Sequence, residues 1–332
     1  MSLSFSLVIC TYKRPVPVIT LLESVAKQTL YPTEILVIDG SPDDDTARAI
    51  GQRNFDRLRY FKVSPEHRGL TRQRNFGISQ TSDVDVIAFL DDDTVLEPEY
   101  FSTLISTYSD YPDAQAVGGY IVNEADWRPV SPDHKPSPGE FVIDGFMRLD
   151  PSRFVLRKKL GLDSDVRPGF MPAFSHGRSV GFLPPSGKVY RVEQLMGCVF
   201  TFRKSVFEKF SFSHYFEGYG LYEDADICLR IAQSGSLYVH TGARLYHYHD
   251  DGGRPNKYNY GRMVVRNGWY VWRVRHPRPS FKNKLKWQAI TWLLIAVRLS
   301  NAITSRSRKE AFTEAAGRIS GWFSLLSPPR QV

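Results

Sequence analysis

Apolar residues fall in short runs separated by polar clusters, and the two alternate through the first hundred positions. Residues 5–10 form an apolar run that closes at Thr11-Tyr12-Lys13-Arg14-Pro15, and behind it Ile19, Leu22, Val25 and Ala26 recur at helical spacing. That reads as strand, loop, helix. A second run over 34–38 ends at Asp39-Gly40-Ser41-Pro42 and is followed by a helix start over 45–52. Further strands are predicted over 58–63 and 84–90, with a helix over 70–79 between them. Such alternation builds an α/β domain, a mostly parallel sheet flanked by helices. Ligands in these sheets gather at the carboxyl ends of the strands. The polar clusters at 11–14, 39–45 and 91–93 all fall there.

From 123 to 189 the chain turns rich in Pro, Gly and charge, which predicts long surface loops and suits a lid or acceptor-facing insertion. Order resumes with a strand over 196–202 and a helix over 221–232. The stretch 282–326 is helical in pattern, with Trp287, Ile290, Leu293, Leu294, Val297 and Leu299 on one face and Lys284, Lys286, Arg298, Arg306 and Arg308 beside it. Two readings stay open: a helix lying in a membrane interface, or a stripe packed on the rest of the protein. Residues 287–297 are too few to cross a bilayer. The expected division is a domain over 1–254 in three parts, 1–122, a loop-rich insertion over 123–190, and 191–254. A helical C-terminal extension follows over 255–332.

The 332 residues are 42% hydrophobic and 23% charged, a folded globular make-up that sets disorder aside. A formal charge of +8 suits an anionic partner without choosing among nucleotide, phospholipid and nucleic acid. Cys10, Cys198 and Cys228 are far apart, odd in number and set in apolar surroundings, as buried free thiols in a reducing compartment would be. The first residues lack a basic n-region, so the opening apolar run reads as a core strand and not as a signal peptide. The expected location is cytoplasmic, with the C-terminal helices offering peripheral attachment at the inner face of the cell membrane.

Asp91-Asp92-Asp93 follow an apolar strand, and like charges held so close repel unless something positive sits among them. A divalent cation taking oxygens from Asp93 and Asp91 serves that need, against the plain reading of a solvated acidic turn. Asp39 and the neighbouring Thr11-Tyr12 end the first two strands, where a carboxylate can accept a base N–H or simply shape a turn. Arg68, Arg72 and Arg74 surround the start of the helix that leads into the acidic strand. Guanidinium groups there suit a phosphate, and Arg72 fits a solvated face better than Arg74 does. Glu223 and Asp224 open another helix, either as dipole-compensating acids or as a general base with an acceptor-orienting neighbour. His247 and His249 alternate onto one face of a strand, where either imidazole suits a metal.

Taken in order, Val8-Ile9-Cys10-Thr11-Tyr12-Lys13-Arg14, Val37-Ile38-Asp39-Gly40-Ser41, Arg68 to Ile78, Phe89-Leu90-Asp91-Asp92-Asp93, Glu223-Asp224 and His247 resemble glycosyltransferase family 2 over about residues 5 to 250. The resemblance implies a GT-A fold, a Rossmann-like α/β domain whose Asp-X-Asp motif is Asp91 to Asp93. It implies an inverting transfer from a nucleotide diphosphate sugar, of uridine or thymidine type, to a hydroxyl of a polysaccharide or lipid-linked glycan, with Mg or Mn. Thr11, Tyr12 and Asp39 then face the nucleoside, and Arg14, Arg68, Arg74, Asp91 and Asp92 line the rest of the donor site. Asp91, Asp93 and His247 hold the metal, and Asp224 is the base beside Glu223. Cys10 departs from the Pro of many members and Gln73 from the usual Ala.

A sugar nucleotidylyltransferase shares the sheet and the metal but carries a Gly-rich loop after the first strand, where this chain has Thr11-Tyr12-Lys13-Arg14-Pro15. A non-catalytic membrane-surface protein is the remaining alternative. Nucleic acid is not an expected partner, because acids and not interleaved basic and aromatic residues occupy the predicted ligand edge.

Overall fold

The computed structural model describes residues 3–216, 218–249 and 255–327. The first stretch alternates as its pattern predicts: β1 (Phe5–Thr11), α1 (Pro15–Val25), β2 (Glu34–Asp39), α2 (Asp45–Gly51), β3 (Leu58–Lys62), α3 (Leu70–Gln80) and β4 (Val86–Asp91). It continues with β5 (Thr94–Leu96), α4 (Tyr100–Asp110) and β6 (Ala114–Ile121). Then come β7 (Arg128–Pro129), β8 (Glu140–Ile143), β9 (Phe146–Leu149) and α5 (Ser152–Lys159). Next are β10 (Val189–Val192), β11 (Val199–Arg203), α6 (Glu223–Ile231) and β12 (Ser236–His247), and last α7 (Lys257–Arg275), α8 (Phe281–Thr304) and α9 (Arg308–Phe323). Contacts group the chain into two units, Met1–Ala125 with Val180–Gly253, and Asp126–Ser179 with Arg254–Val332.

The first unit is built on a sheet in the order β10-β12-β6-β11-β4-β1-β2-β3, with β5 paired to β12. From β4 to β3 every pairing is parallel. Beyond β4, β11 runs antiparallel between β4 and β6, which adds strands that need no crossover helix. The central strands read as continuous apolar runs because both their faces are covered. On one face Leu7, Ile9, Val37, Ala88 and Leu90 pack with Leu21, Leu22 and Val25 of α1 and Phe101 and Leu104 of α4. On the other, Val8, Ile38, Phe89 and Phe200 pack with Ile227, Cys228 and Ile231 of α6.

α3 is polar on the face it buries, which carries Gln73, Arg74 and Gly77, three and four residues apart. Gly77 lets the helix lie directly on the sheet: a Cβ there would stand 2.6 Å from Val8 Cγ1 and 3.4 Å from Ile38 Cγ1. That close approach carries Gln73 and Arg74 to the strand ends. Gly77→Ala is therefore expected to cost about 1–3 kcal/mol through overpacking against a core strand. Urea denaturation of the variant measures this, and an unchanged midpoint would show that α3 can lift without cost.

The second unit holds the antiparallel sheet β7-β9-β8, α5 and the three C-terminal helices. The Pro- and Gly-rich segment is thus less bare than its composition predicts. It is anchored by Arg178, which pairs with Asp150 at 2.9 Å and Asp163 at 2.9 Å, while Lys158 reaches Asp150 at 2.6 Å. α7 and α9 meet at glycines, since a side chain at Gly261 would strike the Glu314 carbonyl and one at Gly317 the Tyr258 carbonyl. Trp269, Trp272 and Trp287 cluster with centroids 4.7 to 6.0 Å apart. The expected helical tail is two helices broken near 305–307. Among the described residues no helix is long and apolar enough to cross a membrane. The expected domain boundary at 254 lies outside the described residues.

Candidate active site

β1, β2 and β4 end side by side, and their terminal residues make the floor of the site. Thr11 and Asp39 are register partners, and both are buried. Asp39 accepts from the Ser41 N–H at 2.7 Å and from the Tyr60 hydroxyl at 2.7 Å. Burial first, and then Asp39 itself, push the Tyr60 phenol above its ordinary range. The Gln73 amide donates to the Thr11 carbonyl at 3.0 Å and the Ile38 carbonyl at 2.8 Å, clasping the ends of β1 and β2 from below. Tyr12 stands 45% exposed above them, next to Lys13 in the left-handed region at φ 58°. The Lys13 N–H donates to Ser41 Oγ at 2.7 Å, tying the two strand-end loops together.

The three acids after β4 have separate surroundings. Asp92 is buried and accepts from Thr11 Oγ1 at 2.7 Å and from Arg14 Nη1 at 3.0 Å. Burial pushes its carboxyl up to about 7, against the pull of Arg14 and Thr11. Asp93 is shared between Arg14, 3.4 Å from Oδ2, and His247, whose Nε2 lies 3.0 Å from Oδ1. Asp91 is the most open of the three and faces Arg74 at 3.3 Å. The protein itself therefore supplies part of the positive charge that three adjacent acids require.

Arg74 is buried and is the hub of the site. It pairs with Glu223 and Asp91, donates to the Gly197 carbonyl at 2.8 Å, and its guanidinium lies 4.9 Å from the Phe200 ring centroid. Burial pushes the Glu223 carboxyl up to about 8 although Arg74 pulls it down. Asp224, one residue on, accepts from the Gly197 N–H at 3.0 Å and from the Ala225 N–H at 2.8 Å. Burial raises its pKa, with those two N–H groups opposing. Gly197 is hemmed in by this group: a Cβ there would stand 2.8 Å from Glu223 Oε1, 3.1 Å from Asp224 Cβ and 3.4 Å from Arg74 Nη1. The turn leading into α6 takes positive φ at Gly218, Gly220 and Tyr222. A bulky residue in that region is uncommon and marks a backbone held by its surroundings.

His247 ends β12, so His249 lies beyond the strand at φ 50° and not on its face as the alternation predicts. The two rings nonetheless approach to 4.0 Å between centroids, with Glu124 Oε1 3.5 Å from His247 Nδ1 and 3.3 Å from His249 Nε2. Asn123 holds the His247 backbone from both sides, donating to its carbonyl at 2.8 Å and accepting from its N–H at 3.0 Å. Burial pulls the His247 imidazole down, but Asp93, Cys198 and Glu124 outweigh it and hold the ring at about 12.

Carboxylate oxygens and imidazole nitrogen are the donors a divalent ion such as Mg or Mn takes. Donor atoms of Asp91, Cys198 and His247 lie within 4.8 Å of one another, and the buried His247 Nδ1 has no hydrogen-bond partner. Asp91 and His247 therefore fit such an ion, with Cys198 as the third clustered donor among the described residues, while Asp93 lies against His247 and Arg14. An unbroken run of polar contacts links Thr11, Asp92, Arg14, Asp93 and His247, and a second links Asp91, Arg74, Gly197 and Asp224. Arg68 stands apart, half-buried ahead of α3. Arg72 turns outward to the Glu66 carbonyl.

The curled, helix-flanked sheet with acids at the end of its fourth strand defines a GT-A fold. A crystal structure of GalNAc-T7 with UDP, GalNAc and Mn2+ shares it at TM-score 0.51 and 17% identity, covering 89% of this chain and 58% of that one. Residues 6–192 match the model of glycosyl transferase family 2, and the chain belongs to that family. Among curated relatives, the glucosyl-dolichyl phosphate glucuronosyltransferase of Haloferax volcanii is 33% identical over 150 residues, 42% of this chain and 44% of that one. The GalNAc(5)-diNAcBac-PP-undecaprenol beta-1,3-glucosyltransferase of Campylobacter jejuni is 31% identical over 102 residues, 30% and 33% of the respective chains. The O-antigen chain rhamnosyltransferase RfbN of Salmonella typhimurium is 30% identical over 131 residues, 39% and 40%. The chain thus spans less than half the length of these relatives.

Tyr60, Gln73, Glu124, Gly197 and Cys198 belong to the neighbourhood of the site without having been singled out for it by pattern. Gln73 alone carried a signal, as a departure from the family's usual Ala. The others are ordinary strand or loop residues until the chain is folded.

Proposed function

We propose that this chain is an inverting glycosyltransferase that moves a sugar from a nucleoside diphosphate sugar of uridine or thymidine type to a hydroxyl of a lipid-linked glycan or polysaccharide. The observation that carries it is the shared neighbourhood of Asp91, Arg74, Gly197 and Asp224, beside the Asp93–His247 pair. This supports reading Asp91, Asp93 and His247 as the metal side and Asp224, at the start of α6, as the base side of one site. Two relatives whose names include a dolichyl phosphate or an undecaprenol-linked glycan favour a lipid-linked acceptor.

Asp39 receives the base imide N–H; each of its oxygens keeps a second lone pair after accepting from Ser41 and Tyr60. Thr11 and Tyr12 flank the nucleoside, and Arg14 and Arg74 keep the acids beside the diphosphate in place. Asp91, Asp93 and His247 would hold Mg or Mn, which when bound supplies charge neutralisation at the leaving diphosphate. Asp224 takes the proton from the acceptor hydroxyl as its oxygen bonds to the anomeric carbon and the bond to the diphosphate breaks. One displacement with no sugar held on the protein inverts configuration. Glu223, fixed by Arg74, orients the acceptor side.

Thermal stabilisation by a panel of UDP-, dTDP- and GDP-sugars, with and without Mn, tests the donor. A shift with UDP- or dTDP-sugars that EDTA reduces is expected. A shift with GDP-sugars only would remove the role given to Asp39.

A membrane surface is a further proposed partner, favoured by Phe281 and Leu285, 76% and 54% exposed at the start of α8 among Lys282, Lys284 and Lys286. Basic residues beside exposed apolar ones suit an interface with anionic lipid. The full chain is expected to co-sediment with phosphatidylglycerol vesicles and a Phe281→Ser/Leu285→Ser variant to do so several-fold less. Equal sedimentation of the two would count against this face.

A further inference from the structure

Cys198 is a buried thiol at the head of β11, and no role in transfer calls for it. Its Sγ nevertheless shares a space with an Asp91 oxygen and a His247 ring nitrogen, all within 4.8 Å of one another. The root of the side chain is fixed. Its carbonyl accepts from the Asp91 N–H at 3.3 Å, and Val199 pairs with Leu90 in the ladder between β4 and β11. Sulfur, oxygen and nitrogen are therefore presented from three strands whose backbones are hydrogen-bonded into one sheet.

Given the reading of this site as a metal site, we propose that Cys198 is a sulfur ligand for thiophilic divalent cations, which bind through Cys198, Asp91 and His247. Tetrahedral coordination with metal–sulfur bonds near 2.3 Å and metal–nitrogen bonds near 2.0 Å places neighbouring donors about 3.5 Å apart. Side-chain rotation closes the remaining gap. Soft thiolate ligands select Zn, Cd and Co, whereas Mg and Mn prefer oxygen. Binding exchanges the Cys198 S–H bond for a sulfur–metal bond and a His247 N–H bond for a nitrogen–metal bond, and releases both protons to solvent with no change in oxidation state. The consequence is a site with two modes: Mg or Mn held by oxygen and nitrogen, and softer ions held more tightly with sulfur added.

The test titrates the full-length chain with Co2+ and with Cd2+, following sulfur-to-metal charge-transfer absorption in the near ultraviolet and binding heat in parallel. The wild-type chain is expected to show the band. Cys198→Ser should lose it and bind Cd2+ at least roughly tenfold more weakly, with Mn2+ affinity within about twofold of the parent. Cys10→Ser and Cys228→Ser should keep the band. Binding heat with no band in the wild-type chain would overturn the sulfur ligand while leaving the metal site standing, as would a band lost with Cys10→Ser and kept in Cys198→Ser. Absence of binding by Mn2+, Co2+ and Cd2+ alike would remove the metal reading and this inference together.

Discussion

Asp224→Asn is expected to lower turnover roughly 10²–10⁴-fold, the range that a positioned general base contributes. The carboxylate is held by two backbone N–H groups, from Gly197 and Ala225, so its position is set before any acceptor arrives. Its pKa is raised by burial, towards the range in which a base is most effective. Asn keeps the volume but can accept from only one of those N–H groups, which costs about 1 kcal/mol of stability, far less than the kinetic effect. Donor-dependent release of nucleoside diphosphate measures the rate, and donor-induced thermal stabilisation, unchanged in the variant, shows that the pocket survives. If Asp224→Asn retains more than about a tenth of the parent rate while Glu223→Gln loses most of it, the base is Glu223 and the assignment is reversed.

Arg74→Met should be the most destabilising substitution in the site. Its guanidinium is buried against Glu223 and Asp91, and removing one partner of a buried ion pair leaves an uncompensated charge at a cost of about 3–5 kcal/mol. The Gly197 carbonyl also loses its donor, which loosens the segment on which Asp224 rests. Urea denaturation measures the loss, and a Glu223→Gln/Arg74→Met double variant is expected to recover part of it because the stranded carboxylate is gone as well. A loss below about 1 kcal/mol in the single variant would mean that Glu223 carries no charge to compensate.

The alternating apolar runs made β1 to β4 and their helices legible, because a strand covered on both faces can be little other than continuous Val, Ile, Leu and Phe. The same logic brought out Asp39, Asp91 and Thr11, since strand ends are where polar residues first become affordable. The apolar run over 196–202 also made β11 legible, and the alternation about His247 the end of β12, but β6 was not, because pairing between strands on either side of a long intervening segment leaves no local pattern to follow. The grouping of 126–179 with the C-terminal helices had no local signal, because contact between distant segments leaves no spacing to read.

Burial and periodicity act along the chain, so the α/β domain, the order of its early strands and the polar residues that terminate them are readable from the residues alone. Which acid faces which partner emerges on folding: Asp92 meets Arg14 and Thr11, Asp93 meets His247, and Asp91 and Glu223 meet Arg74. Three adjacent aspartates are equivalent on paper. They become distinct when side chains leave a strand end in different directions and meet groups brought from both sides in sequence, Arg14 from near the start of the chain and His247 from far beyond the acids.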